Sequence, residues 1–387
     1  MSGPRVLFVT PTTPWPANSG GRIRTSQLIE HAGREARITL FAVSPSQVKE
    51  PAPRPLMDRC EGIEVFERTR PGLLARFALS KLERSFHSHR LHSAVQAALS
   101  ESSYDLVHID ELSVARAVGF SRSSPVLVHH HKLDSKLAAE LARLGEGVGD
   151  GEVARIRALE RRVCRTHSYH AACSKEEARS LSEEFGVQCA VVPNGFDSDR
   201  FTPSEESPDQ DTALFLGTLS YAPNIHGLEW FVGQVLPLVR ANRPEFKLKI
   251  VGLDPSPRVL ALRSEHVEVI GPVMDPLEHL HSAACSIAPL FIGGGTRIKI
   301  LESLAAACPV VSTTVGAAGL TLPPGSTLIA DDAASFSAAL LTFLNDQEEA
   351  RALAVRASEQ MHQHYSWGAS ASALLDAWED CASKTPR

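Results

Sequence analysis

The 387-residue sequence contains no apolar run approaching the ~20 residues that cross a bilayer, which argues against a membrane-spanning helix. Only Val6 to Val9 follow Arg5 before Pro11, Pro14 and Pro16, so no signal peptide is expected. Excess positive charge is missing too. Thirty-nine Lys and Arg stand against 45 Asp and Glu, a net charge of -6, which disfavours a nucleic-acid binder. The seven cysteines (60, 164, 173, 189, 285, 308 and 381) include no CxxC pair, so neither a disulfide framework nor a zinc knot is expected. Free thiols acting as small hydrophobes in a reducing cytoplasm fit that pattern. Compositional bias is also absent: 43% hydrophobic and 22% charged residues are ordinary for a folded globular chain, not for a disordered or collagen-like one.

What is present is a rhythm. Arg5 to Thr10 is a short apolar run, followed by a Pro/Gly-rich loop to Gly21 and helical spacing from Ile23. Further strands are expected at residues 38–42, 106–109, 126–129, 170–173 and 190–192, with helices over 72–100, 133–144 and 153–163. Residues 203 to 211, polar, acidic and bounded by proline, read as a linker. The rhythm then restarts, with strands at 213–216, 248–251, 267–270, 286–290, 310–312 and 328–329 and helices at 227–239, 277–284, 334–344, 347–364 and 368–383. Strands alternating with helices mean βαβ units, so the fold expected is α/β, two doubly wound Rossmann-like domains. The domains are placed at residues 1 to 203 and 204 to 365, and two such domains across a linker imply a cleft.

The strongest local signal is Leu290-Phe291-Ile292-Gly293-Gly294-Gly295-Thr296-Arg297-Ile298-Lys299-Ile300-Leu301-Glu302. A strand runs through three glycines into a helix. Glycines let a backbone approach a ligand and expose its N–H groups, and a helix start adds positive potential. Arg297 and Lys299 are cations at the helix end where cations are unfavourable, which makes sense if an anion neutralises them. A diphosphate is such an anion. Glu302 follows, able to accept hydrogen bonds from a diol. No DxD pair sits at a strand end. Gly20-Gly21 does not fit GxGxxG, which disfavours a nicotinamide dehydrogenase. His129-His130-His131 sits at another strand end. Adjacent side chains on extended backbone point to opposite sides, so a shared metal ion is not expected there.

This segment, together with Pro309-Val310-Val311-Ser312-Thr313-Thr314-Val315-Gly316-Ala317-Ala318-Gly319-Leu320, resembles the donor-site signature of family 4 retaining glycosyltransferases. Val191-Val192-Pro193-Asn194-Gly195-Phe196-Asp197, Phe215-Leu216-Gly217 and Gly271-Pro272-Val273-Met274-Asp275-Pro276 carry the likeness along nearly the whole chain. The GTRIKILE stretch is similar to an exopolysaccharide-type subgroup. The resemblance implies the GT-B fold, with the final helix (about residues 366 to 387) returning to the first domain.

It also implies a metal-independent, retaining transfer from a nucleotide-diphosphate sugar to a hydroxyl acceptor, without a cofactor. The donor would be held by Gly217, Gly271, Asp275, Gly293, Gly294, Gly295, Thr296 and Glu302, with Gly20 and Gly21 approaching from the other domain. Arg297, Lys299 and His131 would be the catalytic residues. The acceptor is expected to be a saccharide, a lipid-linked sugar or a natural product. Two features depart from the family pattern. Its first glutamate falls on Gly294. The Arg and Lys usually found after the second domain's first strand are replaced by Thr218 and by Asn224 or His226, so Arg297 and Lys299 are expected to supply that charge. Gly294 leaves open a nucleotide-sugar hydrolase or epimerase-like enzyme and a non-catalytic binding homologue. Arg22 or Arg24 is expected to add charge near Gly20. His108, Asp110 and Glu111 are read as cleft-lining or loop surface, Asp134 as the counterpart of a family glutamate, and Glu160 and Ser174 as structural or cleft-lining. The basic stretch Arg76, Lys81, Arg84 and 87–92 suits weak contact with anionic lipid or an acidic acceptor, or else a solvated face.

Overall fold

The computed structural model describes residues 3–44, 50–101, 104–119, 125–204 and 208–383. The chain forms two compact units. The first runs to Pro193 and resumes at Gly368; the second is Asn194–Trp367.

The first unit is built on seven parallel strands: β1 (Arg5–Thr10), β2 (Arg37–Ser44), β3 (Cys60–Glu67), β4 (Leu106–Asp110), β5 (Val126–His130), β6 (Tyr169–Ala172) and β7 (Cys189–Val191). Their order is β3-β2-β1-β4-β5-β6-β7. Strands β4 and β5 are buried along their whole length, as parallel strands must be when helices cover both faces. One face packs Val6, Phe8, Leu28 and Ile29; the other packs Leu7, Val9, Val107 and Ile109.

The second unit repeats the scheme with β8 (Asp209–Leu216), β9 (Lys247–Val251), β10 (Val267–Gly271), β11 (Ala283–Ala288), β12 (Val310–Ser312) and β13 (Thr327–Ile329), ordered β10-β9-β8-β11-β12-β13. In both sheets the winding direction reverses once, between β1 and β4 and between β8 and β11. Successive crossovers leave opposite faces there, so the loops part and a crevice opens beyond the carboxyl ends of the strands.

Several elements differ from the sequence reading. Strand β3 was not expected. It is an edge strand carrying Glu61, Glu64 and Glu67, charges that hide its apolar pattern and blunt a sheet edge. The long helix expected over 72–100 is three helices, Leu73–Ala78, Lys81–Ser85 and His89–Glu101. Ser80 starts the middle one as a capping box, its side chain on the Glu83 N–H and the Glu83 carboxylate on its own N–H. The helix expected from Gly227 begins at Ala222, because Pro223 opens a helix rather than a loop. It continues through a wide turn, Phe231–Val235, just before Pro237, which has no N–H to give. Of residues 203 to 211, 205–207 lie outside the described residues; the others fall in the second unit, whose start at Asn194 is nine residues before 203, and 209–211 already belong to β8.

The last helix, Trp367–Ser383, buries Ala371, Leu374, Trp378 and Cys381 in the first unit's core beside Val6 and Phe8. Among the described residues, no helix is long and apolar enough to cross a membrane.

Candidate active site

In the second unit the reversal point brings together the loop after β8 and the turn after β11. Gly293 and Gly295 have φ of 121° and 75°, a region where side chains are strained, which is why the turn uses glycine. Arg297 closes the turn: its Nη1 donates to the carbonyls of Gly294 and Gly295, the latter at 2.8 Å. A Cβ on Gly293 would lie 2.9 Å from Arg297 Nη2. Arg297 Nε is buried without a partner, as is the Thr296 hydroxyl. The Asn194 side chain donates to the Thr296 carbonyl at 3.0 Å. The helix Ile298–Ala305 then begins with no acidic residue in its first turn.

Lys299 turns toward the loop after β8. Its ammonium donates to Asn224 Oδ1 at 3.1 Å and sits 4.0 Å from the centre of the Phe215 ring. Asn224 is fixed in turn by donating to the Thr218 carbonyl at 2.8 Å. Gly217 leaves the space: a Cβ there would lie 2.8 Å from both the Lys299 ammonium and the Asn224 amide. Burial and the neighbouring Arg297 charge pull Lys299 down to about 7, against the attraction of Glu302. Burial pushes Glu302 up to about 7, against the charges of Arg200 and Lys299. Arg200 pairs with Asp275 at 2.8 Å, and Asp275 also accepts the Leu277 N–H at 2.9 Å. Gly271 ends β10 at φ 89°.

In the first unit the reversal point gathers a second polar group. The helix Gly20–Ala32 starts at two exposed glycines, and the Ser19 side chain does not cap it. Asp110, 1% exposed, accepts from Thr10 at 3.2 Å, from Thr25 at 2.8 Å and from His131 Nε2 at 2.8 Å. His131 Nδ1 reaches Glu111 at 3.1 Å. Burial would lower the His131 pKa, but the Asp110 charge and the bonds to both carboxylates raise it to about 9. Burial would raise Asp110, and the His131 charge outweighs it, holding the carboxyl well below the usual range.

Two glycosyltransferase profiles match this chain. The profile of Glycosyltransferase Family 4 matches residues 19–200, and that of Glycosyl transferases group 1 matches residues 210–346. The protein is a family 4 glycosyltransferase. An uncharacterized 44.6 kDa protein in the cps region of Klebsiella pneumoniae is 25% identical to it over 162 residues, 39% of this chain and 42% of that protein. The phosphatidyl-myo-inositol mannosyltransferase of Mycolicibacterium smegmatis is 24% identical over 303 residues, 74% of each chain. The crystal structure of Anabaena HepE in complex with UDP and glucose superposes with a TM-score of 0.69 at 16% identity, covering 96% of this chain and 98% of that one. This likeness shows the GT-B fold.

Within the glycosyltransferase, several side chains sit elsewhere than expected. Arg24 adds no charge beside Gly20. It is 2% exposed and spends its guanidinium on the carbonyls of Val192 (2.7 Å) and Pro193 (3.0 Å) and on His129 Nε2 (2.6 Å). Arg22 lies by the turn, 3.5 Å from Asn18. The three histidines part, as extended backbone requires: His129 meets Arg24, His130 Nε2 meets His170 at 3.1 Å, and His131 meets the carboxylates. His108 and Asp110 are not loop surface. His108 is wholly buried, stacked on Phe8 at 4.2 Å and accepting from Trp378 at 2.9 Å.

Ligand-type atoms of His108, Asp110 and His129 lie within 4.8 Å of one another, as do those of His130, Cys164 and His170. In the first trio the Arg24 charge beside His129 opposes a cation. Asp134 pairs with Lys132 at 3.2 Å. Glu160 is wholly buried, accepts the Ser135 N–H at 3.0 Å and is pushed by burial to about 7. Ser174 caps the helix Lys175–Phe185, a structural role. His87 and His92 of the basic stretch bond to Thr69 and to the Ala117 carbonyl. Sequence reasoning passed over Asn224 as the partner of Lys299. The chain reversal at β8, put together with a helix cation, was the signal available.

Proposed function

We propose that this glycosyltransferase takes a nucleotide-diphosphate sugar as donor, retains the configuration at the transferred carbon and needs no metal ion. The observation that carries the reading is the cationic glycine turn of the second unit. Arg297 braces residues 293 to 295, while Lys299 meets Asn224, which with His226 lies where the family pattern has its own lysine. The amides of the turn and both cations would hold the diphosphate, and Glu302 would accept hydrogen bonds from the ribose. Gly271 and Asp275 would lie by the base.

The bond from the sugar's anomeric carbon to phosphate breaks with its electron pair going to the diphosphate oxygen. The acceptor oxygen bonds the same face, and its proton passes to that phosphate. A fixed cationic site does the work a divalent ion would do for the leaving group. Of the two DxD spacings, Asp209 to Asp211 opens β8 at its amino end, away from the site, with Asp211 paired to Arg243 at 3.3 Å, and Asp197 to Asp199 forms a turn in which Asp197 Oδ1 accepts the N–H groups of Asp199 and Arg200 at 3.2 Å each. The acceptor would be a saccharide or lipid-linked hydroxyl, in the manner of exopolysaccharide assembly, and the seven free thiols suit work in the cytoplasm.

Two measurements test this. The Arg297→Ala variant should stay folded and lose turnover; near-normal rates would remove the diphosphate assignment. Activity should survive exhaustive chelation, and a strict divalent requirement would reject the metal-free mechanism. Gly294 at the usual glutamate position favours one second reading, nucleotide-sugar binding or hydrolysis without transfer. Incubation with donor alone separates the two, since rapid release of free sugar marks a hydrolase.

A further inference from the structure

Glu111 follows β4 at the first unit's reversal point, and the roles assigned so far leave it unused. Its backbone lies at φ 76°, ψ 147°, which an L side chain rarely adopts. Such conformations are strained for an L residue and persist only where the surroundings hold them. Here the Glu111 N–H donates to the His129 carbonyl at 3.1 Å, and the carboxylate accepts from the His131 Nδ1–H at 3.1 Å. Glycine would fit this backbone without strain, so what the position keeps at a cost is a carboxylate. A quarter of that side chain remains exposed. It faces the Gly20 and Gly21 turn: a Cβ on Gly21 would lie 3.8 Å from Glu111 Oε1.

His131 behind it has both ring nitrogens engaged, Nε2 on Asp110 and Nδ1 on Glu111. An imidazolium so placed has no N–H left for a substrate. The group of this cluster that can face one is the Glu111 carboxylate.

We infer that Glu111 accepts hydrogen bonds from hydroxyl groups of a polyhydroxylated acceptor, with Asp110 and His131 as positioning residues behind it. This rests on the glycosyltransferase reading and names the acceptor's contact within it. A charged carboxylate is the strong partner for a diol, since charge-assisted hydrogen bonds are about twice as strong as neutral ones. The His131 bond orients the carboxylate, and the Thr10 and Thr25 hydroxyls hold Asp110. Burial would raise the Glu111 pKa, but nearby Lys132 and the His131 bond lower it. Glu111 is therefore a poor base, and it binds and orients while the acceptor proton leaves with the donor phosphate.

The test uses the full chain with 15N-labelled histidine, titrated with the methyl α-glycosides of glucose, galactose and mannose. At least one should shift the His131 ring signals saturably. Glu111→Gln and Glu111→Gly should each weaken that response roughly tenfold or more. The melting temperature of Glu111→Gly should hold or rise because the strain is relieved, which separates a binding loss from a folding loss. Asp110→Asn should lower the pH at which His131 titrates. If no sugar moves the His131 signals, or if both Glu111 variants respond like the native protein, the proposal is overturned. UDP binding, followed separately, should be unchanged in the Glu111 variants. A native protein that binds sugar through Glu111 but no nucleoside diphosphate would sink the donor reading and leave Glu111 in place.

Discussion

Lys299 holds its ammonium against an aromatic ring and an amide oxygen, with a second cation close by and little water to share the charge. Its folded value of about 7 lies below the ordinary 10.5, so above neutrality the unfolded chain binds the proton more readily. This side chain therefore adds stability as pH rises from about 7 toward 10. His131 acts in the opposite sense. Its value of about 9 lies above the ordinary 6.5, so its contribution is complete below the unfolded value and is lost as pH rises through 9. The functional consequence at Lys299 is direct. A bound diphosphate would stabilise the charged form, so at about pH 8 nucleotide binding should take up a proton. Calorimetry in buffers of different ionisation enthalpy should show this uptake in the native protein and its loss in Lys299→Met. Equal heats across buffers would show that Lys299 does not meet the anion. The cations themselves were legible in the sequence because they sit at the wrong end of a helix. The Asn224 partner was not, since a side chain 75 positions away enters only through the winding of the sheet.

Elements decide which short motifs become sites. The glycines after β11 matter because two of them take positive φ and because the helix that follows starts with unneutralised N–H groups. Gly293→Ala should weaken nucleoside diphosphate binding by roughly tenfold or more, from about 1–2 kcal/mol of backbone strain plus the displaced Arg297 fork. Isothermal titration checks this, and unchanged affinity would mean that the turn does not touch the ligand. Most strands were readable from apolar runs. Strand β3 was not, because an edge strand needs only one apolar face and here carries three glutamates. The break of the 72–100 segment was written in Ser80 and Glu83, but a capping box is hard to see when helical spacing continues on both sides.

At the scale of the whole molecule, the final helix returns to the first unit and places Trp378 against Phe8 and His108. Trp378→Ala should cost about 3–5 kcal/mol, the usual loss for an aromatic removed from a core. Urea unfolding of the first unit should show the loss, and a change below about 1 kcal/mol would mean that the helix is merely laid on the surface. Alternating strands and helices, repeated on either side of a polar stretch, determined the fold class from sequence, because periodicity is a local property of the chain. The glycine turn and its misplaced cations, on which the proposed donor site rests, were legible in the sequence for the same reason. Tertiary structure alone decided which neighbours meet: that Arg24 is consumed by the carbonyls of Val192 and Pro193, that three consecutive histidines enter three environments, and that Glu111 stands in front of His131. Those outcomes depend on strand order, and strand order is set by how whole helices pack across a sheet, which no short window of sequence contains.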